Sequence, residues 1–312
     1  VVAEMFESEF SHFEKIRHVL VAGGTHGNEY TGAFLARHWL SNDSSLKRDS
    51  FSTHVLFSNQ EAFKICKRYV DRDLNRSFNP SETVSNNRAL ELSRARDIEQ
   101  WLLSACGGGM PGAIFDLHST TANMGKSLVL TNREPFNLLL LAYLRQRFAD
   151  VNAYLWEEPN SQPGFLNSLS SKGFAIEIGP VANGVLHAEC VVNTAALVHA
   201  CLDFIDEWNS GINSPLPSRV PLYCFRRHVD YPRGSDNLPS AMVHPELQNR
   251  DFQALQPGEP VFLGFDGSVT LWEGDTVWPV FINEAAYYEK GIAFTVTDKL
   301  DVEISGLKSK LR

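Results

Sequence analysis

The chain has 312 residues, 43% of them hydrophobic and 21% charged, with a formal net charge of −9. That length can bury a sizeable core and hold one large domain with a smaller one, and the acidic balance argues against nucleic acid as the main partner while leaving an anionic substrate open, because a site answers to its local charge. No run approaches the roughly 18 to 20 apolar residues of a membrane span, residues 1–15 lack the basic start and apolar middle of a signal peptide, and five scattered cysteines without a C-x-x-C read as reduced thiols rather than a cysteine zinc site. The expectation is a cytoplasmic protein with no membrane partner; homo-oligomer formation is compatible with the sequence.

In chain order, Arg17–Ala22 is a β-branched apolar run that ends in Gly23-Gly24, a buried strand and a turn. Thr31–Leu40 has helical spacing, Thr53–Ser58 reads as a second strand, and Arg88–Ser104 as an amphipathic helix. Gly112–Leu117 and Ser127–Thr131 read as strands, Phe136–Phe148 as a helix, Phe174–Ile178 as a short strand closed by Gly179-Pro180, and Thr194–Trp208 as another helix. Strands alternating with helices imply an α/β domain, a parallel or mixed sheet covered on both faces. After Asn209 the texture changes to a Ser- and Pro-rich linker and then short β-like pieces, so the division expected is 1–210 and 211–312, the second part mostly β.

His26 and Glu29 follow the double glycine three residues apart, and His118 ends the third strand. H-x-x-E alone is common by chance, but a turn at the carboxyl end of an α/β sheet is where such sites form. Three such ligands plus a water make a catalytic zinc site. Asp116 shares a strand face with His118 and could orient it or cap a neighbouring turn. In RYVDRDLNRSF, Arg68, Asn75 and Arg76 read either as a solvated charged loop or as an anion clamp, with Asp73 holding an arginine in place. Glu177, flanked by apolar residues in FAIEIGP, suits a general base whose pKa is raised by burial; otherwise it is a strand glutamate facing solvent.

GGTHGNE, DRDLNRSF, FDLHSTTANMG, GFAIEIGPVANGVL, VDYP, HPELQNRDF, PGEP and FINEAAYYEK, in this order from about Arg17 to about Phe294, resemble the aspartoacylase family of zinc amidohydrolases. The resemblance extends to aminoacylase-3 and, more widely, to succinylglutamate desuccinylase, and it implies a three-layer α/β/α domain like that of zinc carboxypeptidases with a central mixed sheet, and a C-terminal β domain over the cleft. It implies one zinc per chain held by His26, Glu29 and His118. Arg68 would polarise the scissile carbonyl, Asn75 and Arg76 hold the α-carboxylate, Glu177 serve as base and then proton donor, and Tyr287 close the pocket. The implied substrate is a small N-acylamino acid, N-acetyl-L-aspartate first and N-acetyl aromatic or other neutral amino acids as the alternative; a small-peptide carboxypeptidase and a non-catalytic zinc protein stand further off. A Tyr and an Arg that grip the second carboxylate in animal aspartoacylases are replaced, on an ungapped count back from Glu177, by Pro163 and Asn167. The GFAIEIGPVANGVL wording is closest to bacterial-type aspartoacylases.

Overall fold

The computed structural model describes residues 14–42, 44–78, 88–157, 164–212 and 214–310. Pro163 therefore lies outside the described residues. The first strand, β1 (His18–Gly23), leads into helix α1 (Tyr30–Ser41). Then come β2 (Ser52–Phe57), the short α2 (Gln60–Lys64), α3 (Leu90–Ala105), β3 (Ala113–Ser119), β4 (Gly125–Leu130), α4 (Pro135–Arg147) and β5 (Val151–Leu155). β6 (Gly173–Gly179) and α5 (Ala188–Ser210) complete this part. The C-terminal residues add β7 (Arg219–Val229), β8 (Ala241–Val243), β9 (Pro260–Gly264), β10 (Val269–Leu271), β11 (Trp278–Val280), β12 (Phe294–Glu303) and α6 (Ser305–Lys310).

Among the described residues nine strands form one sheet in the order β11-β12-β7-β5-β4-β6-β3-β1-β2. β1, β2, β3 and β6 run parallel, and β4 opposes β6. Side chains alternate across the two faces. Val19, Val21, Phe115 and Leu117 pack with α1, α4 and α5 on one face, whereas Leu20, Ala22 and Ile114 pack with Ala95, Ile98 and Leu102 of α3 on the other. This is the expected mixed sheet between helical layers.

Two boundaries differ from the sequence reading. β5 and α2 carry too short a pattern to be read alone, and β7 starts inside the stretch taken as linker. β7 joins the catalytic sheet through Tyr154↔Tyr223 and Leu155↔Cys224, so the C-terminal residues supply both a small three-stranded sheet and one wing of the central one. Among the described residues one helix, α5, is long and apolar enough by length and composition to cross a membrane, although Glu189, Asp203, Asp206 and Glu207 interrupt its apolar sequence. Its buried residues, among them Leu197, Cys201, Phe204 and Ile205, belong to the core.

Candidate active site

The site grows from the ends of β1 and β3 and from β6. Gly24 takes a left-handed turn at φ +70°, and a side chain on Gly23 would place its first carbon 2.1 Å from the carbonyl oxygen of Gly32, so only glycine lets α1 pack this close. His26 lies in the turn and Glu29 caps α1. The parallel register sets His118 of β3 directly opposite Glu177 of β6, with Asp116 and Ala175 one row earlier on the same face.

The three candidate ligands converge. His26 Nδ1 is 2.6 Å from Glu29 Oε1, His118 Nδ1 is 2.8 Å from Glu29 Oε2, and the two Nδ1 atoms are 3.1 Å apart. The far nitrogens have carboxylate partners: His26 Nε2 donates to Asp73 Oδ1 at 3.0 Å and His118 Nε2 to Asp116 Oδ2 at 2.8 Å. A proton held on Nε2 leaves the Nδ1 lone pair facing inward, the arrangement that supports metal-bound imidazoles. Asp116 also accepts from Thr25 Oγ1 at 2.7 Å, which ties it to the turn that carries His26.

The electrostatics fit a cation. Burial would raise the Glu29 carboxyl, but His26 and His118 hold it well below the usual carboxylate range. Burial would lower His118, yet Asp116 and Glu29 push it well above its ordinary value. A buried acidic cluster that favours the charged form of His118 is short of positive charge, and an ion at the three converging donors meets that need. All three residues are buried.

Asp73 does more than steady an arginine. Its Oδ2 accepts from Arg68 Nε and Nη2 at 3.3 and 3.2 Å, while Oδ1 accepts from His26 and from the Asn75 backbone N–H. Arg68 Nη1 reaches Glu29 Oε1 at 3.2 Å. Burial would lower Arg68, but Asp73 and Glu29 keep it charged, above its usual range. Asn75 Oδ1 accepts from Leu166 N–H at 2.9 Å, and its Nδ2 lies 3.3 Å from His118 Nε2.

Burial first, then Glu29 and Glu284, push the Glu177 carboxyl up to about 8, and its Oε2 is buried without a hydrogen-bond partner. It lines a cleft with His26, His118, Arg68, Asn75, Arg76, Asn167 and Tyr287. The remaining walls are mostly apolar: Val129, Trp156, Phe165, Ala175 and Phe281, with Thr131. Asn167 is buried and its Nδ2 has no hydrogen-bond partner. Every residue proposed for chemistry or substrate contact thus meets at one cavity, with Glu29, Asp73 and Asp116 directly behind it.

The catalytic-domain description "Succinylglutamate desuccinylase/Aspartoacylase catalytic domain" matches residues 15–205, and the "AstE/AspA barrel-sandwich hybrid domain" matches residues 218–299. The chain belongs to the succinylglutamate desuccinylase/aspartoacylase family. Within that family it is 42% identical over 293 residues to a probable aspartoacylase of Acaryochloris marina, covering 93% of this chain and 98% of that one. It is 40% identical over 301 residues to the human N-acyl-aromatic-L-amino acid amidohydrolase (carboxylate-forming), covering 94% of each. The crystal structure of murine aminoacylase 3 superposes with a TM-score of 0.88 at 40% identity, covering 93% of this chain and 98% of that chain. These relatives are named for amide hydrolysis, and this family member is an amide hydrolase.

Sequence reasoning missed several residues of the site. Trp156 and Phe165 flank Arg76, whose guanidinium carbon lies 5.3 and 4.4 Å from their ring centroids. Glu91, fully buried on α3, accepts from the backbone N–H groups of Val70, Asp71 and Arg72 and so fixes the loop that carries Arg68. Glu284 accepts from Thr121 N–H and Oγ1, Ala122 N–H and Thr120 Oγ1, tying the segment of Tyr287 to the loop after β3. A glutamate in FINEAAYY was visible in the sequence; its partners, more than 160 positions away, were not.

Proposed function

We propose that the protein hydrolyses N-acyl-L-amino acids to a carboxylate and the free amino acid, with one zinc ion held by His26, Glu29 and His118. The observation that carries this reading is the unpartnered Glu177 Oε2, buried beside three converging metal-ligand side chains and the Arg68 guanidinium. Zinc, when bound, would act as a Lewis acid and draw the pKa of a coordinated water toward ~7.

The chain's own groups do the rest. Glu177 Oε2 takes a proton from the attacking water and returns it to the leaving nitrogen, so one water is consumed and no acyl-enzyme forms. Arg68 donates to the carbonyl oxygen as negative charge develops there. Arg76, steadied by Phe165 and Trp156, binds the α-carboxylate with Asn75. Tyr287 and Phe281 exclude water from the substrate. Asp73 and Asp116 keep the imidazole protons on the outer nitrogens.

N-acetyl-L-aspartate is the first substrate, with Asn167 Nδ2 offered to its second carboxylate. The apolar wall of Trp156, Phe165, Val129 and Ala175 favours a second reading, neutral or aromatic N-acetylamino acids, strongly enough that both belong in the assay. The test is acetate release over a panel of N-acetylamino acids, before and after exhaustive chelation. Activity should vanish with the metal, return with zinc, and fail to return in His118→Ala. Full activity in protein with no residual metal would overturn the mechanism; a panel on which no N-acylamino acid is cleaved would overturn the substrate class.

A further inference from the structure

We infer that His18, His54 and Cys106 form a second metal site, for a divalent ion of the zinc class, at the opposite end of β1 from the active site. The three offer one ligand atom each, all within 4.8 Å of one another. His18 Nδ1 and His54 Nε2 are 3.1 Å apart and their rings stack with centroids 5.3 Å apart at 28°. Sheet register explains the encounter. His18 pairs with Ser52 and Leu20 with His54, so the two histidines are diagonal neighbours on one face. That face is otherwise apolar, with Leu20, Ala22, Leu56 and Ile114 packed under α3. Cys106 caps the end of α3 just where it reaches the start of β1 and β2.

The donor set selects the ion. Two imidazoles and a thiol suit zinc-class ions and reject magnesium and calcium, which demand oxygen. Both histidines are half-buried, which leaves an approach from solvent and room for a water as fourth ligand. Tetrahedral binding at ordinary zinc distances puts sulfur and nitrogen about 3.6 Å apart, against a separation of at most 4.8 Å here, so the thiol has no more than about 1.2 Å to close. Gly107 and Gly108, both at positive φ with nothing near their Cβ positions, follow it directly and let the helix end adjust. Val19 to Gly23 separate this cluster from the turn of His26, so the two sites share no side chain.

Cobalt(II) separates the two sites because the catalytic ligands contain no sulfur. Titrating the full chain with cobalt(II) should produce a near-ultraviolet thiolate-to-metal band and bind a second equivalent of metal. Cys106→Ser should abolish the band, and His54→Gln should weaken the ion that gives it by at least ~10-fold, both variants keeping the wild-type circular-dichroism spectrum and thermal transition as proof of fold. No band in the wild type, a band that survives Cys106→Ser, or cobalt affinity untouched by His54→Gln would each overturn the site. None of these outcomes depends on the catalytic assignment.

Discussion

Around His26, Glu29 and His118 the polar atoms hold one another: both imidazoles have a carboxylate on each side, and Asp73 serves a histidine, an arginine and a backbone N–H together. The wall that faces the amino-acid side chain is made differently. It is apolar apart from Thr131 and Asn167, and Asn167 keeps a buried amide nitrogen without a partner. The first region is over-determined, as a preorganised reacting centre must be. On the proposed function the second would discriminate through shape and one neutral donor, which tolerates several side chains. Glu177 stands between them, fixed by its strand but with one carboxylate oxygen untied.

The largest expected effect breaks the reacting region without disturbing its shape. Glu177→Gln keeps the strand, the volume and the neighbouring ligands but cannot accept a proton. We expect kcat to fall by ~100-fold or more with metal content unchanged. Near-normal turnover in this variant would show that another group moves the proton.

Next comes the contact common to both regions. Arg76→Ala removes the charged partner for the α-carboxylate, which every N-acylamino acid carries. Loss of a charge-assisted pair of this kind predicts a ~10- to 100-fold fall in kcat/KM. The fall should be the same within a few-fold for aspartate and for neutral side chains. A loss confined to aspartate would mean that Arg76 reads the side chain instead.

How far the sequence disclosed each region follows from how local its causes are. His26 and Glu29 are three residues apart after a glycine turn, and Asp116 and His118 alternate on one strand, so both pairs were readable from period and punctuation. Glu177 was readable as a costly carboxylate in an apolar run. The second duty of Asp73 toward His26 depends on a loop folding back across 47 positions, held by Glu91, and no spacing reports that. Phe281 reaches the cavity because β11, β12 and β7 continue the central sheet, a pairing of distant segments that periodicity cannot register. β5 escapes a reading by period because VNAYL is only five residues long.

A smaller effect tests the selective wall itself. A neutral amide gives a second carboxylate weaker hydrogen bonds than a guanidinium does. At least one neutral N-acetylamino acid should therefore lie within roughly 10- to 100-fold of N-acetyl-L-aspartate in kcat/KM. Asn167→Leu should lower aspartate by ~3- to 10-fold, the worth of one neutral hydrogen bond, and leave neutral substrates nearly unchanged. Aspartate preferred by many thousand-fold would require a cation besides Arg68 and Arg76, the two that the described lining holds.

The smallest effect concerns a cation just outside that wall. The Lys290 ammonium lies 5.4 Å from the Tyr287 ring centroid, and burial, then Arg76 and Arg68, push it down to about 8. Below that pH it adds a third positive charge close enough to feel Arg76 and Arg68; above it the charge is lost. An anionic substrate binds less well once that charge is gone, so KM should rise as pH passes about 8 while kcat follows Glu177. The field of a single charge is screened by salt, so the step should be only a few-fold and shrink at high ionic strength. Lys290→Met should flatten it, most visibly for the doubly charged N-acetyl-L-aspartate. If the KM step persists unchanged in that variant, its origin lies in the reacting region, and the division between the two regions is less clean than their hydrogen bonds suggest.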